Sequence, residues 1–284
     1  MRTLPEQTTP AATLLIDGTA PTWRSYWREL CGFREVAHML IRRDLIVRFR
    51  QTYFGLAWML FKPLMLMLVM SFVFGVLSGF EKSHAAPYSL IIFCGVIPWY
   101  FVTNAVPDGM NSLLVHFQVI QKTYFPRAII PVTAVAVDAI EFLVAWLLFV
   151  LGCLWFDFWP DWRVVLFPLL CLQLIVLCTG IGVWLSVINL RFRDIGNLVP
   201  FLLTVGFFVT PVGYTLAHVP QEWRLVYSLN PLVGIIEGLR WSLLRGLEGF
   251  PLAPMLISAA VTALVALAAA RHFLANEAKL VDLA

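Results

Sequence analysis

The sequence predicts an all-α integral membrane protein. It has six transmembrane helices, an N-terminal amphipathic helix at the interface, and re-entrant helices on the outer side between spans five and six. Three observations carry this prediction. First, of 284 residues 60% are hydrophobic and 13% charged, with mean hydropathy +0.83; soluble domains carry about 25% charged residues. A soluble globule of this length needs far more polar surface, so a cytosolic enzyme, a disordered chain and a secreted module are excluded. Second, six apolar segments are long enough for a bilayer core that takes about 20 helical residues to cross. Third, the cationic residues are distributed unevenly between the connecting segments.

In chain order the spans run from about Tyr53 to Gly79, Tyr88 to Pro107, Ala128 to Phe156, Val164 to Leu190, Ile195 to Ala217 and Leu252 to Ala270. The first contains Lys62, placed to snorkel toward headgroups, and Pro63, a kink signal. With the N-terminus inside, the inner segments hold Arg34, Arg42, Arg43, Arg48, Arg50, Lys122, Arg127, Arg191, Arg193, Arg271 and Lys279. The outer ones hold Lys82, Arg163, Arg224, Arg240 and Arg245, so the count is eleven against five. The positive-inside rule then puts both termini in the cytoplasm. The expected division is a cytoplasmic tail over 1–32, the interface helix over 33–51, the transmembrane region over 52–274 and a cytoplasmic C-terminus over 275–284. The net charge of +3 is too small to point to nucleic acid.

Four connecting segments are more than simple links. Between Phe33 and Arg50, the apolar residues Val36, Ala37, Leu40, Ile41, Leu45 and Phe49 recur at helical spacing among arginines. This is the pattern of a helix lying in the headgroup layer. Either it is a topological anchor, or Arg42, Arg43, Arg48 and Arg50 meet phosphates of a lipid-linked substrate, which the planar guanidinium fork suits. Upstream, Trp23, Tyr26 and Trp27 beside Arg24 and Arg28 suggest further interface contact. Between spans two and three, Asn111 to Lys122 forms a short helix in this reading. Its apolar Leu114, Phe117, Val119 and Ile120 want a partner groove or rest on the bilayer. The Arg191–Asp194 link is a tight charged turn. Between spans five and six, Asn230 is an N-cap with Pro231 at the first helical position. The helix that follows, to Arg245, is too short and too charged to span; with Trp223 and Trp241 it reads as re-entrant or interfacial.

Asp138 and Glu141 share a face of the third span. Charges there are costly: the pair is either proton-coupling, or it packs against a neighbouring helix or pairs with an arginine near a membrane end. The five cysteines show no C-x-x-C pair and read as small buried hydrophobes. No G-x-x-x-x-G-K-[ST] loop is present, so the chain does not bind ATP in the P-loop manner. No metal or catalytic cluster is visible either.

Several ordered stretches resemble the ABC type-2 exporter permeases for polysaccharides. They are Arg42–Trp58 (RRDLIVRFRQTYFGLAW) with Lys62-Pro63, Gly95–Trp99 (GVIPW), Ile120–Arg127 (IQKTYFPR), Asn189–Asp194 (NLRFRD), Thr210–Val212 (TPV) and Asn230–Leu232 (NPL). The resemblance implies export of lipid-linked O antigen, capsule or teichoic acid across the bacterial plasma membrane. It implies a homodimer of this subunit with two copies of a cytosolic P-loop ATPase, which carries the ATP and magnesium. It makes Leu114, Phe117, Val119, Ile120 and Lys122 a coupling helix on that ATPase, and Phe33–Gln51 a gate helix. Spans one and five then offer Trp58, Phe61, Phe201, Phe207, Phe208 and Tyr214 as aromatic channel lining, each also open to ordinary helix packing. Other classes remain: an ATP-driven exporter of a drug or small lipid, a secondary transporter driven by Asp138 and Glu141, and a membrane glycan enzyme, which the absent catalytic cluster disfavours.

Overall fold

The computed structural model describes residues 23–50, 57–77, 86–118, 125–247 and 249–277. Its helices are α1 (Trp23–Gly32), α2 (Arg34–Arg50), α3 (Ala57–Met70, continued as a π-helix over Ser71–Leu77), α4 (Tyr88–Val115), α5 (Ile129–Phe156), α6 (Phe167–Arg191, entered through a 3-10 turn over Trp162–Leu166), α7 (Ile195–Val209), α8 (Gln221–Ser228), α9 (Pro231–Leu243) and α10 (Leu252–Asn276). Five helical stretches are long and apolar enough to cross a membrane: Ala57–Leu77, Tyr88–Val115, Ile129–Phe156, Trp162–Arg191 and Leu252–Asn276. They join two ends of the molecule. The base carries α1, α2 and the end of α10; the crown carries α8 and α9.

The second span is the axis of the bundle. In its most apolar window 78% of residues are buried, against 17% in the first and last spans. A helix that is apolar all round belongs inside, and α4 packs on both α5 and α6. Gly109 and Gly182 let α4 and α6 approach closely: a Cβ on Gly109 would stand 3.1 Å from the Gly182 Cα. Small residues serve this purpose wherever lipid offers no hydrophobic drive between helices. Cys94, Cys153, Cys171 and Cys178 are buried in this packing and Cys31 is exposed.

Two elements depart from the sequence expectation. The second span does not stop at Pro107: α4 runs unbroken to Val115. Met110 and Leu113 are buried, and Asn189 donates to Asn111 Oδ1 at 2.9 Å. Tertiary packing thus carries the helix through a proline that would end an isolated one. The fifth expected span is shorter than its apolar run. α7 has 15 residues, about 22 Å at 1.5 Å per residue, and the chain then turns at Thr210. The apolar run continues through Pro211 and Val212, so hydropathy reads straight across a turn.

The helix expected over 33–51 is present, and a further helix, α1, stands in the stretch expected as a tail. α2 forms as a single helix with Leu40 buried. α1 precedes it, and its Tyr26, assigned to the interface above, is buried against the protein instead. α3 continues through Pro63, with the Lys62 ammonium 5.9 Å from the Trp58 ring centre.

Candidate functional site

The base is organised by one arginine. Arg48, in the last turn of α2, points toward α4 and α5. Its Nη1 donates to Asp138 Oδ1 at 2.5 Å and to Glu141 Oε1 at 2.7 Å, and its Nη2 donates to Asp108. One guanidinium therefore serves three carboxylates from two spans. The Asp138 side chain is 1% exposed and that of Arg48 34%, so the pair straddles the boundary of the protein. Burial works against the Arg48 charge, yet Asp138 and Glu141 outweigh it and raise its pKa above the ordinary arginine range. Of the readings open for Asp138 and Glu141, the structure realises pairing with an arginine. Asp138 Oδ2 has no hydrogen-bond partner among the described residues.

Arg48 is thus occupied within the chain. Arg43 pairs with Asp44 at 2.8 Å and also contacts His116, whereas Arg42 and Arg50 are exposed. Between α2, α4 and α5 lies a groove of ≈ 590 Å³ lined by Arg43, Arg48, Asp108, Asn111, His116 and Val137, among others. Of the expected coupling residues, Leu114 is exposed and Phe117 half-buried. Val119, Ile120 and Lys122 lie outside the described residues. Beyond them Phe125 is buried in an apolar cluster at the base.

The crown is built around a turn. Asn230 caps α9 as expected, accepting from the Leu232 N–H at 3.0 Å, and its Nδ2 donates to Thr210 Oγ1 at 2.9 Å. The TPV and NPL stretches, 20 residues apart, therefore meet. Arg240 of α9 donates to Val212 O at 2.9 Å, to Tyr214 O at 2.8 Å and to Glu237 Oε1 at 2.8 Å. Glu237 in turn accepts from the Leu216 N–H at 3.1 Å, and the Tyr88 hydroxyl donates to Gly213 O at 2.7 Å. Irregular backbone at membrane depth must have its polar groups met by protein, and here the carbonyls of 212, 213 and 214 all are. Gly95 makes room for the turn: a Cβ there would lie 2.5 Å from Val212 O.

Arg240 was counted above among outer-loop charges. Its side chain is 5% exposed and that of Glu237 6%, so within that segment the two form a buried ion pair. Opposite charges three apart in an apolar helical run were the sequence signal for it.

The aromatic candidates divide. Trp58 and Phe61 are exposed and pack edge to face at 5.4 Å. Phe201 and Phe208 are exposed on α7. Phe207 instead packs edge-on against Trp99 at 5.7 Å, and the Tyr214 hydroxyl is bonded to that of Tyr227 at 2.5 Å. A groove of ≈ 450 Å³ runs between α3, α4 and α7, lined by Leu66, Trp99, Tyr100, Thr103, Phe207 and Phe208 among others. Trp223 is exposed on α8. Trp241 packs on Phe250 at 4.8 Å, with the Arg163 guanidinium 5.2 Å from its ring.

A family model described as ABC-2 type transporter matches residues 36–244, from the first turn of α2 to the end of α9. The chain belongs to the ABC-2 type transporter family. Both clusters described above fall inside the matched region. Among its relatives, an O-antigen export system permease protein RfbA of Myxococcus xanthus is 31% identical over 212 residues, covering 74% of this chain and 80% of that one. A protein of the same name from Klebsiella pneumoniae is 26% identical over 217 residues, 75% and 81% of the two chains. The polysialic acid transport protein KpsM of Escherichia coli is 22% identical over 236 residues, 81% and 90%. The order of stretches that carried the sequence resemblance is therefore an ABC-2 pattern. In this chain two of those stretches bind each other at the crown.

Proposed function

We propose that this chain is the membrane-spanning permease subunit of an ATP-driven exporter of lipid-linked polysaccharide, of the O-antigen, capsule or teichoic acid type, in the bacterial plasma membrane. The observation that carries this reading is the family match together with relatives named for O-antigen export and polysialic acid transport. A homodimer of the chain joins two copies of a cytosolic P-loop ATPase, which binds ATP and magnesium. The base faces the cytoplasm with both termini, and the crown is the outer end, where α8 and α9 re-enter the membrane.

In this arrangement the lipid-diphosphate head meets the exposed cations of α2, Arg42 and Arg50, with Arg43 beside the basal groove. Arg48 keeps α2 registered against α4 and α5. Leu114, Phe117, Val119, Ile120 and Lys122 dock on the ATPase. The exposed rings of Trp58, Phe61, Phe201 and Phe208 stack on sugars that slide past, since a π face binds a sugar ring without fixing its register. The first span is 17% buried in its most apolar window and α7 buries only Val199, which suits a path between two copies.

Reconstitution of the permease with its ATPase in proteoliposomes, loaded with a lipid-linked glycan, tests the reading. The expected result is ATP-dependent appearance of glycan at the opposite face and ATPase activity stimulated by the glycan. Translocation driven by a pH gradient without ATP would contradict it.

A further inference from the structure

The base contains a second apolar cluster, separate from the main core, that includes Tyr26, Leu40, Leu113, Phe125, Ile130 and Phe273. It gathers α1, α2, the lower ends of α4 and α10, and the start of α5. The proposed coupling segment leaves this cluster at Leu113 and rejoins it at Phe125. Leu113 and Phe125, on either side of it, are therefore both embedded in packed protein.

One carboxylate closes the polar edge of this cluster. Glu277, directly after α10, accepts at Oε1 from the Arg127 backbone N–H at 2.9 Å and from the Tyr26 hydroxyl at 2.9 Å. The Arg127 guanidinium donates back to the Glu277 carbonyl. Burial raises the pKa of the Glu277 carboxyl, while hydrogen bonds from Arg127 and Tyr26 act against that rise. The bonds link residues 150 and 251 positions apart. They bolt the turn at Arg127, just after the coupling segment, to the end of the last span and to the N-terminal helix. The family match over 36–244 includes Arg127 but neither Tyr26 nor Glu277, so two of the three residues of this clasp lie beyond the matched region.

We propose that Glu277 is a positioning residue for coupling. It holds the exit of the coupling segment against α10, so that displacement of that segment moves α5 and α10 as one body. Without it, the displacement is absorbed between Phe125 and Ile129. The inference rests on the reading of Asn111 to Lys122 as the ATPase contact.

The test compares wild type, Glu277→Ala, Glu277→Gln and Tyr26→Phe in the assembled transporter at equal amounts of complex. Two quantities are measured: glycan moved per ATP hydrolysed, and the ATP-induced change in hydrogen exchange at the lower end of α10. Alanine removes the one oxygen that accepts both bonds, glutamine keeps an oxygen there, and phenylalanine removes one donor. Hydrogen bonds to a charged group are each worth roughly a factor of ten. Glu277→Ala is therefore expected to move on the order of tenfold less glycan per ATP, with hydrolysis within about twofold of wild type. Its α10 exchange response to ATP disappears, Tyr26→Phe falls between, and Glu277→Gln restores both readouts.

An assembled Glu277→Ala transporter with a wild-type ratio and exchange response overturns the proposal. So does a glutamine variant as impaired as alanine. Should the alanine variant not assemble, Tyr26→Phe decides by the same two readouts. The exchange response needs no glycan. A wild-type complex that moves none counts against the export reading, whereas loss confined to the variants speaks to Glu277.

Discussion

The base and the crown each carry an arginine bound to carboxylates, and they use it in opposite ways. At the crown, Arg240 is buried and half of its bonds go to backbone carbonyls of an irregular turn. At the base, Arg48 is one-third exposed and, among the described residues, its side-chain bonds go to side chains on other helices. The crown arginine is part of the fold: remove it and several polar groups are orphaned at once. The base arginine is a tether. It holds α2, whose one buried residue is Leu40, against the spans through a partly exposed guanidinium paired with one partly exposed carboxylate, Asp108, and two largely buried ones, Asp138 and Glu141. A tether of this kind suits a helix that must shift during transport, and a staked turn suits a fixed mouth.

Substitutions should separate the two. The largest expected effect is at the crown. Arg240→Ala removes the cation beside the buried Glu237 and the donor to the Val212 and Tyr214 carbonyls, and breaking such a buried pair costs about 3–5 kcal/mol. Loss of folded protein in thermal unfolding or detergent size-exclusion assays is the expected result. Next is Arg48→Ala. Solvent at Arg48 discounts the penalty, so about 1–3 kcal/mol is expected. The protein should still fold, with α2 more open to protease. The smallest is Tyr88→Phe, which removes one hydrogen bond to Gly213 O and should cost about 1 kcal/mol in thermal stability. Equal losses for Arg240→Ala and Arg48→Ala would erase the contrast.

The spans were legible in the sequence because bilayer length and apolar composition leave little freedom. Their ends were less so. Pro107 and Asp108 look like a terminus, but buried Met110 and Leu113 and the Asn111–Asn189 bond continue α4 past them. The turn at Thr210 is hidden because Pro211 and Val212 are as apolar as the span before them. In the candidate site, Asn230 and Pro231 announced α9 correctly through local cap chemistry, which is readable from neighbours alone. Asp138 and Glu141 were visible as costly charges, but their partner Arg48 is 90 residues away from Asp138, and spacing cannot choose among five nearby arginines. Tyr26 and Glu277 escaped for the same reason at greater separation. The aromatic set was split by neighbours: Trp99 takes Phe207 and Tyr227 takes Tyr214, which no one-dimensional pattern contains.

The central claim, a releasable base beneath a fixed crown, is tested most directly by hydrogen–deuterium exchange of the intact transporter as salt is raised. Ionic screening acts on charges that solvent reaches and hardly on buried ones. The account predicts faster exchange in α2 with increasing salt while the 210–216 turn keeps its protection. Protection in α2 that is unmoved by salt, or a turn that loosens along with it, would contradict it.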